Sequence, residues 1–176
     1  MATKWVLDPT HSEVNFKVKH LVISTVSGHF RSFDGTVESN DDADFESAKV
    51  AFSIDAASID TNQQQRDDHL RSADFFDAEN FPSISFVSTS VKSMGSDEFI
   101  IEGDLTVKDI TKKIELNAEY GGSVTDAYGN FKVGFEVTGK INRKDFGLVW
   151  NAVTEAGSVV VGDRINIQAS VQFIRQ

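Results

Sequence analysis

Hydrophobic and polar residues alternate along most of this chain, and a period of two residues predicts β-strands. In the segment EVNFKVKH at 13–20, every second residue is apolar or His, and the residues between them are Asn and Lys. Short connections with turn residues, such as SMGSDE at 93–98, predict that neighbouring strands pair antiparallel. The same alternation recurs at 50–54, 84–86, 99–107, 114–120, 131–141 and 165–173, and more weakly at 33–38.

These segments amount to about eight strands, each apolar on one face and polar on the other. Such strands are typical of an antiparallel sandwich or a closed barrel, and an eight-stranded barrel is near the size that holds one small ligand. A chain of 176 residues is long enough to bury one good core. We therefore expect an all-β fold with a single domain over residues 1–176.

One stretch departs from the alternation and predicts a short helix at about 62–72. Thr61 is followed three residues later by Gln64, which is the spacing of a capping box. Asp67 is placed to meet Arg71 one helical turn later. The apolar face of this helix is nearly empty, so we expect it to lie over the barrel rather than inside the core.

The segment RDDHLRSADFFDAENFP at 66–82 surrounds this helix with charge and aromatic residues. We expect Asp67, Asp68 and Asp74 to be exposed and paired with basic neighbours, because the charges alternate in sign. The phenylalanines have to be buried, and an open end of the barrel is the natural place for them. They are Phe75, Phe76 and Phe81.

Several predicted strand faces combine large apolar residues with very small ones: Gly103, Ala118, Gly139 and Ala169. A solid core would fill that volume. Two explanations remain open at this point. The small residues are either positions where strands bend to close a barrel, or they leave space for a bound molecule.

Composition excludes several classes of function. The formal net charge of −10 and the dispersed Lys and Arg residues argue against nucleic acid as a partner. The chain has no Cys, which excludes disulfides and thiolate chemistry. No stretch approaches the roughly 20 apolar residues of a membrane span, and the start MATKWVLDPTHSEV lacks the pattern of a signal peptide. We expect a cytoplasmic protein if Met1 is the native start, and a periplasmic one if a signal peptide has been removed.

Motifs that carry chemistry are missing from the sequence. The four histidines form no H-x-x-x-H pair, and DDADFE at 41–46 lacks the glycine and the closing Glu of a calcium loop. There is no G-x-S-x-G, no P-loop and no G-x-G-x-x-G. We therefore expect a protein that is not an enzyme and that needs no metal or cofactor.

Five blocks of sequence resemble the YceI-like family of lipocalin-like, polyisoprenoid-binding proteins. The resemblance extends from about Trp5 to Phe173. Its most specific parts are T-x-x-x-x-R-D-x-H-L-R-S-x-D-F-F-D, beginning at Thr61, and the D-F-G-L that precedes Trp150. The five blocks are WVLDPTHSEVNFKVKHL, SGHFRSFDG, SIDTNQQQRDDHLRSADFFDAENFPSISFVST, EGDLTVKDITKKIEL and INRKDFGLVWN. In the fourth block the family usually has Gly and then Lys-Pro, where this chain has Asp109 and Lys112-Lys113, so the turn there is expected to differ.

The resemblance implies an extended eight-stranded antiparallel lipocalin-like barrel whose interior takes a long isoprenoid tail, with the short helix near a barrel mouth. We expect the protein to bind, sequester or transport a polyprenyl quinone or polyprenyl phosphate. The candidate lining residues are Phe16, Val18, Phe52, Ile54, Phe86, Phe131, Val133 and Phe135, and Phe75, Phe76 and Trp150 are the candidates near a mouth. The candidate donors to the lipid head group are His20, Arg66, His69, Arg71 and Arg143. For each of these residues, ordinary core packing is the alternative.

Two other functions stay open at this stage. One is an enzyme that modifies a lipid on the same barrel, and the other is a stress or interaction module with a filled barrel and no ligand. Many members of the family are exported, whereas this chain shows no signal peptide. The expected partner is a hydrophobic lipid, without nucleic acid and without a membrane-spanning segment, and a homodimer is compatible with such a barrel.

Overall fold

The structure is a computed structural model that describes residues 2–21, 23–151 and 161–176. Within these residues, eleven strand segments join into one antiparallel sheet. One helix, α1 (Gln64–Arg71), and three 3₁₀ turns (Pro9–His11, Ala56–Ser58 and Arg143–Phe146) connect them. The strand segments are β1 (Thr3–Leu7), β2 (Glu13–His20), β3 (Ser24–Phe30), β4 (Phe33–Ser39), β5 (Lys49–Asp55), β6 (Ile59–Asp60), β7 (Ser83–Ser93), β8 (Glu98–Val107), β9 (Ile110–Thr125), β10 (Phe131–Asn142) and β11 (Val161–Arg175).

The sheet closes into a barrel because β1 pairs with both β4 and β11. Trp5 lies opposite Val37 on one side and opposite Arg175 on the other. The order around the ring is β1, β4, β5, β7, β8, β9, β10 and β11. The eight-stranded antiparallel barrel expected from the sequence is confirmed.

Three of the eight barrel strands are interrupted, which is why eleven segments make eight strands. β11 pairs with β1 through 173–175 and with β2 through 161–170, so β1 and β2 are two parts of one barrel strand. The second interrupted strand consists of β3 and β4, and the third of β5 and β6. The alternating pattern predicted β2, β4 and β5 but not the other parts. β1 ends in an unbroken apolar run, and β3 is mostly Ser, Thr and Gly, so neither alternates clearly.

The end of the barrel where β1 begins and β11 ends is sealed by aromatic side chains; we call it the closed end. Phe45, in the connection between β4 and β5, is buried, and its ring centroid lies 5.6 Å from that of Trp5 and 5.1 Å from that of Phe135. Trp5 is fully buried and donates its indole N–H to Ser39 Oγ at 2.9 Å. The aromatic plug, as we call this group, consists of Trp5, Phe45, Phe99, Tyr120, Phe131 and Phe135.

The opposite end carries α1 and is called the helix end. The predicted helix is confirmed but shorter, and the predicted capping box is wrong. The N-cap residue is Gln63, whose side-chain oxygen accepts the backbone N–H of Arg66. Arg71 fixes the helix to the barrel by donating to the carbonyl oxygens of Ala57 at 2.8 Å and Ile59 at 3.0 Å.

The expected ion pair between Asp67 and Arg71 is also wrong. Asp67 is only 6% exposed, and its Oδ1 accepts both the backbone N–H of Thr61 at 2.8 Å and the Thr61 hydroxyl at 2.5 Å. Thr61 is itself buried, so its donors need an acceptor inside the protein. Arg71 pairs instead with exposed Asp68 at 3.0 Å. His69 Nε2 lies 2.8 Å from Asp74 Oδ2, so Asp68 and Asp74 do have basic partners at the surface.

The glycines on the inner face are covered by side chains from neighbouring strands. A Cβ atom at Gly103 would lie 2.5 Å from Phe86 Cζ, and one at Gly139 would lie 2.4 Å from Leu116 Cδ2. The volume that these glycines leave is therefore occupied by protein, which is the usual way in which a bulky cross-strand neighbour protects a glycine in a sheet. Gly28 under Phe16 and Gly35 under Phe52 repeat this packing.

Candidate ligand-binding site

A cavity of about 160 Å³ lies inside the barrel next to the aromatic plug. Every wall side chain among residues 2–21, 23–151 and 161–176 is apolar, so these residues offer a guest no hydrogen bond and no charge. In another protein, a cavity of roughly 150 Å³ with such a wall stays dry and accepts benzene. This cavity has room for a group of similar size, which is about one five-carbon isoprene unit. Its wall consists of Val14, Val37, Phe45, Ala48, Val50, Phe52, Ile54, Phe86, Val91, Phe99, Ile101, Leu105, Ile114, Leu116, Ala118, Phe135, Val137, Ile167, Ala169, Val171 and Phe173.

The structure divides the predicted lining residues into three groups. Phe52, Ile54, Phe86 and Phe135 line the cavity. Phe16 and Val18 lie on the inner face of β2 but outside the cavity, towards the helix end. Phe131 and Val133 lie at the closed end. Phe131 belongs to the aromatic plug, and its ring centroid lies 6.0 Å from that of Trp5. Val133 is fully buried beside the plug. Of the four small residues noted on the strand faces, Ala118 and Ala169 border the cavity.

A stripe of half-buried aliphatic side chains extends from the cavity towards the helix end. Ile165 is paired with Val18 on one side and with Ile141 on the other, and all three lie on the inner face. Each is only partly buried, whereas Ala169, Val171 and Phe173, further along β11 towards the closed end, are buried. The inner-face stripe, defined as Val18, Ile141 and Ile165, therefore provides apolar surface outside the cavity.

The barrel wall is incompletely paired beside this stripe. The ladder between β9 and β10 ends at Leu116 and Gly139, although β9 begins six residues earlier at Ile110 and β10 continues to Asn142. Gly147 packs below, where an added Cβ would lie 2.9 Å from Ile110 Cδ1. We call this region, bounded by Leu116 and Gly139 above and by Ile110 and Gly147 below, the β9–β10 gap.

Arg143 is buried, and backbone carbonyl oxygens occupy its guanidinium group. Its side chain is 2% exposed, and it donates to the carbonyl oxygens of Leu148 at 2.6 Å, Trp150 at 2.8 Å, Gly162 at 2.9 Å and Val161 at 3.3 Å. Burial lowers the pKa of Arg143, and Asp163, 3.8 Å away, partly opposes this shift. A sequence alone does not reveal this, because a buried arginine and a binding arginine have the same residue type.

The arginines of α1 are also occupied by the backbone. Arg66 donates from Nε to the Thr61 hydroxyl and from Nη2 to the Thr61 carbonyl oxygen, both at 2.7 Å. Arg71 bonds to Ala57 and Ile59 as described above. Together with Arg143, all three predicted arginine donors are therefore committed to holding the helix end together.

The predicted mouth residues do come together at the helix end. The His69 ring lies 4.6 Å from Trp150 and 5.1 Å from Phe75, and Phe75 lies 5.4 Å from Trp150. Phe76 contacts Phe30 nearby at 6.1 Å. His20 lies apart from them at the end of β2, paired with Val161, and its imidazole makes no hydrogen bond within the described residues. The ligand-binding role of all these residues remains a prediction.

Two residues near the cavity were missed by the sequence analysis. Phe45 was passed over because it stands in the acidic segment at 41–46, whose charge suggested only a solvated turn. Lys112 was assigned to a turn, whereas the turn is formed by Lys108 and Asp109, and Lys112 lies within β9. A stricter use of the period of two from Ile114 backwards would have shown Lys112 at an inner-face position.

Comparison with known proteins agrees with this architecture. A model of the YceI-like domain matches residues 5–173. The chain belongs to the YceI-like family. Among its relatives, a UPF0312 protein of Staphylococcus aureus strain MSSA476 is 38% identical over 172 residues, which are 97% of each chain. Protein YceI of Escherichia coli O157:H7 is 41% identical over 169 residues, which are 94% of this chain and 83% of that protein.

Solved structures show the same YceI-like barrel. BcnA of Burkholderia cenocepacia superposes with a TM-score of 0.82 at 22% identity, covering 94% of this chain and 98% of that one. The YCEI protein of Campylobacter jejuni gives a TM-score of 0.75 at 32% identity, covering 90% of both chains. A polyisoprenoid binding domain from Saccharophagus degradans, implicated in plant cell wall breakdown, gives 0.69 at 13% identity and covers 98% of both.

The described part of the chain shows neither a metal site nor a membrane helix. Within residues 2–21, 23–151 and 161–176, no three His, Asp or Glu side chains come close enough together to hold a metal ion. In the same residues, no helix has the length and apolar character needed to cross a bilayer.

Proposed function

We propose that this protein binds and sequesters an isoprenoid lipid, with the tail inside the barrel and the head group towards the helix end. The observation that carries the proposal is the cavity with an entirely apolar wall, closed on one side by the aromatic plug. A wall without polar groups selects a guest by shape and apolar area rather than by hydrogen bonds. The polyisoprenoid binding domain with the same fold supports an isoprenoid as the guest.

The size of the cavity sets how the tail is held. At ~0.8 kcal/mol for each buried methylene-sized group, one isoprene unit contributes about 4 kcal/mol before ordering costs. That is only enough for binding near 1 mM, whereas micromolar binding needs about 8 kcal/mol. A second and third unit must therefore lie outside the cavity, and the inner-face stripe of Val18, Ile141 and Ile165 is the apolar surface that continues from it.

We infer binding rather than catalysis from the same wall. The residues around the cavity contain no group that transfers a proton or attacks a bond. The three arginines near the helix end are held by backbone carbonyl oxygens, so they are not free to clamp a pyrophosphate. A head group with less charge than a pyrophosphate, which needs no clamp of several arginines, suits this arrangement better.

The test is to fill the cavity with protein. Ala118 is 4% exposed and borders the cavity, so Ala118→Leu places three more carbon atoms inside it. We expect this variant to fold and to lose at least tenfold in affinity for farnesol, measured by isothermal titration calorimetry. Ala51→Leu is the matched control, because Ala51 is exposed on the outer face of β5.

Lipid extraction and mass spectrometry of the purified protein complete the test. We expect a prenyl lipid to copurify with the native chain and with Ala51→Leu, and to be depleted from Ala118→Leu. If the native protein binds neither farnesol nor a copurifying prenyl lipid, the proposal is wrong. If the Ala118→Leu variant binds farnesol as tightly as the native protein does, the ligand lies outside this cavity.

A further inference from the structure

We propose that Lys112 is the residue that binds an anionic head group of the lipid, at the β9–β10 gap. This inference rests on the proposed function, since it concerns the other end of the same ligand. It assigns the head-group contact to a residue outside the five donors considered from the sequence. The chemistry that it recognises is a carboxylate or a single phosphate group, which carries about one to two negative charges at neutral pH.

Strand register places Lys112 on the inner face of the barrel. Lys112 lies directly opposite Leu105 of β8, and the next inner-face residue of β9, Ile114, lies opposite Gly103. Leu105 and Ile114 both line the cavity. In an antiparallel pair, residues directly opposite each other point to the same side of the sheet, so Lys112 continues the cavity wall towards the helix end.

Lys112 is also exposed to solvent, which distinguishes it from its neighbours on the inner face. Its position falls within the β9–β10 gap, between Ile110 and Leu116, where β9 has no partner in β10. Two residues along a strand span about 6.7 Å. Over this single step from Ile114, the inner face of β9 changes from the wall of an apolar cavity to an exposed ammonium group.

The ammonium group of Lys112 is uncommitted. It makes no hydrogen bond and no ion pair with any residue of 2–21, 23–151 or 161–176. By contrast, Lys132 is held by Asp8 at 2.8 Å, and Lys144 lies 3.4 Å from Asp163. A lysine at the margin of an apolar surface can lie along that surface with its stem and extend its charge into water. This geometry matches a lipid whose tail is buried and whose head group stays wet.

The local charge favours an anion at this place despite the net charge of −10. Lys113, the next residue, projects to the outer face opposite Asp104, so that carboxylate lies on the other side of the sheet from the Lys112 side chain. The inner-face neighbours of Lys112 on its own strand are Ile110 and Ile114, both apolar. A single lysine with apolar neighbours forms a charge-assisted hydrogen bond with an anionic oxygen without displacing another partner.

The experiment compares Lys112→Gln with Lys113→Gln, which removes the same charge from the adjacent position on the outer face. The probes are farnesyl phosphate and farnesol, which share one tail and differ in the head group. We expect Lys112→Gln to weaken farnesyl phosphate about tenfold and to leave farnesol unchanged, by isothermal titration calorimetry. Lys113→Gln should change neither affinity by more than about twofold, and Lys112→Arg should keep most of the affinity for farnesyl phosphate.

Each other outcome decides the question differently. If both probes bind and Lys112→Gln leaves their affinity ratio unchanged, the head group lies elsewhere and this inference is overturned, while the proposed function stands. The inference is also overturned if Lys113→Gln weakens the binding of farnesyl phosphate as much as Lys112→Gln does. The loss of affinity would then come from the change in the protein's net charge rather than from a contact with Lys112. Failure of the native protein to bind either probe removes the proposed function itself.

Discussion

The closed end and the helix end of the barrel are built from the same alternating strands but are finished in opposite ways. At the closed end, a loop inserts Phe45 among Trp5, Tyr120 and Phe135, and Trp5 is fully buried. At the helix end, inner-face residues such as Ile141 and Ile165 remain half-buried. The two ends therefore differ on the inner face of the barrel: aromatic side chains fill it at the closed end, whereas the inner-face stripe stays half-buried at the helix end, although Ile59 and Phe75 nearby are buried.

This division assigns stability to one end and access to the other. Trp5 and Phe45 are the buried members of the plug, and buried aromatic side chains contribute large apolar areas and well-defined contacts, so these two residues should contribute strongly to the free energy of folding. Half-buried aliphatic side chains contribute less to folding and leave room for a guest. The residues that stabilise the fold and the residues that leave room for a ligand are therefore different ones.

The largest expected effect comes from removing the centre of the plug. Trp5→Ala should lower the free energy of unfolding by about 3–5 kcal/mol, because it deletes a fully buried indole and its hydrogen bond to Ser39. Ile114→Ala, on the cavity wall towards the helix end, should cost only about 1–2 kcal/mol, because Ile114 is half-buried. Urea denaturation followed by circular dichroism measures both values.

The contrast between the two ends is wrong if Trp5→Ala and Ile114→Ala lower the free energy of unfolding by the same amount. Ile114→Ala should also leave farnesol binding intact or improve it, since it enlarges the cavity. A loss of stability at Ile114 as large as that at Trp5 would mean that the helix end is packed as tightly as the closed end.

The alternation predicted the strands well, because a period of two can be recognised without knowing any contact. Seven of the eight barrel strands contain a segment with this alternation, and the strand of β3 and β4 shows it more weakly. The alternation fitted a sandwich as well as a barrel, and the resemblance to the family is what indicated the barrel. The interruptions were harder to predict. In one case the 3₁₀ turn Ala56–Ser58 separates β5 from β6, and β6 then resumes the barrel strand by pairing with β3.

The site was predicted less completely, and for a physical reason. Residue type shows that Phe52 is apolar and that Arg143 is a donor, but not which partner each one finds. Phe131 and Phe135 stand four residues apart on the same strand face, yet only Phe135 borders the cavity. The decisive facts are a loop that delivers Phe45 from a distance and carbonyl oxygens that occupy Arg143. The contacts of Phe45 are long-range, and Arg143 bonds to carbonyl oxygens that lie between 5 and 19 residues further along the chain, so neither leaves a recognisable sequence pattern.

A smaller effect distinguishes two glycines that are both covered by a neighbour. A Cβ atom at Gly103 would lie 2.5 Å from the carbonyl oxygen of Val87 as well as from the Phe86 ring, so the backbone would have to shift. At Gly139 the closest atom is the end of the Leu116 side chain, which can rotate. We expect Gly103→Ala to lower the free energy of unfolding by about 1–3 kcal/mol and Gly139→Ala by less than about 1 kcal/mol.

The two glycine variants should reverse their order in a binding assay. Leu116 borders the cavity, so Gly139→Ala pushes its side chain into the space that the tail needs. We expect weaker farnesol binding from Gly139→Ala despite its small effect on folding. Native-like binding by this variant would show that Leu116 moves away from the cavity, towards the β9–β10 gap.

The last expected effect concerns the polar groups near the two ends, and it decreases as the solution becomes acidic. At the closed end, Lys132 lies 2.8 Å from Asp8, and the Thr10 hydroxyl donates to Asp8 at 2.7 Å. The hydrogen bond from Lys132, followed by that from Thr10, holds the pKa of Asp8 well below its usual value of about 3.9. Because the folded state binds the proton more weakly than the unfolded chain does, this contribution to stability is present above about pH 4 and is lost as the pH falls further.

The Asp8→Asn variant should therefore be less stable than the native protein at pH 6, and the difference in the free energy of unfolding should shrink as the pH falls below 4. Unfolding midpoints in urea, measured between pH 6 and pH 2.5, follow that convergence. Asp68→Asn at the helix end is the matched control, since the Asp68 side chain is 63% exposed and its pair with Arg71 contributes only about 0–1 kcal/mol. Asp126 also contacts Lys132 at 3.3 Å, so Lys132 keeps one carboxylate partner in Asp8→Asn, which reduces the difference from the native protein. A constant difference between Asp8→Asn and the native protein down to pH 2.5 would mean that Asp8 stabilises the closed end through its shape and hydrogen bonds rather than through its charge.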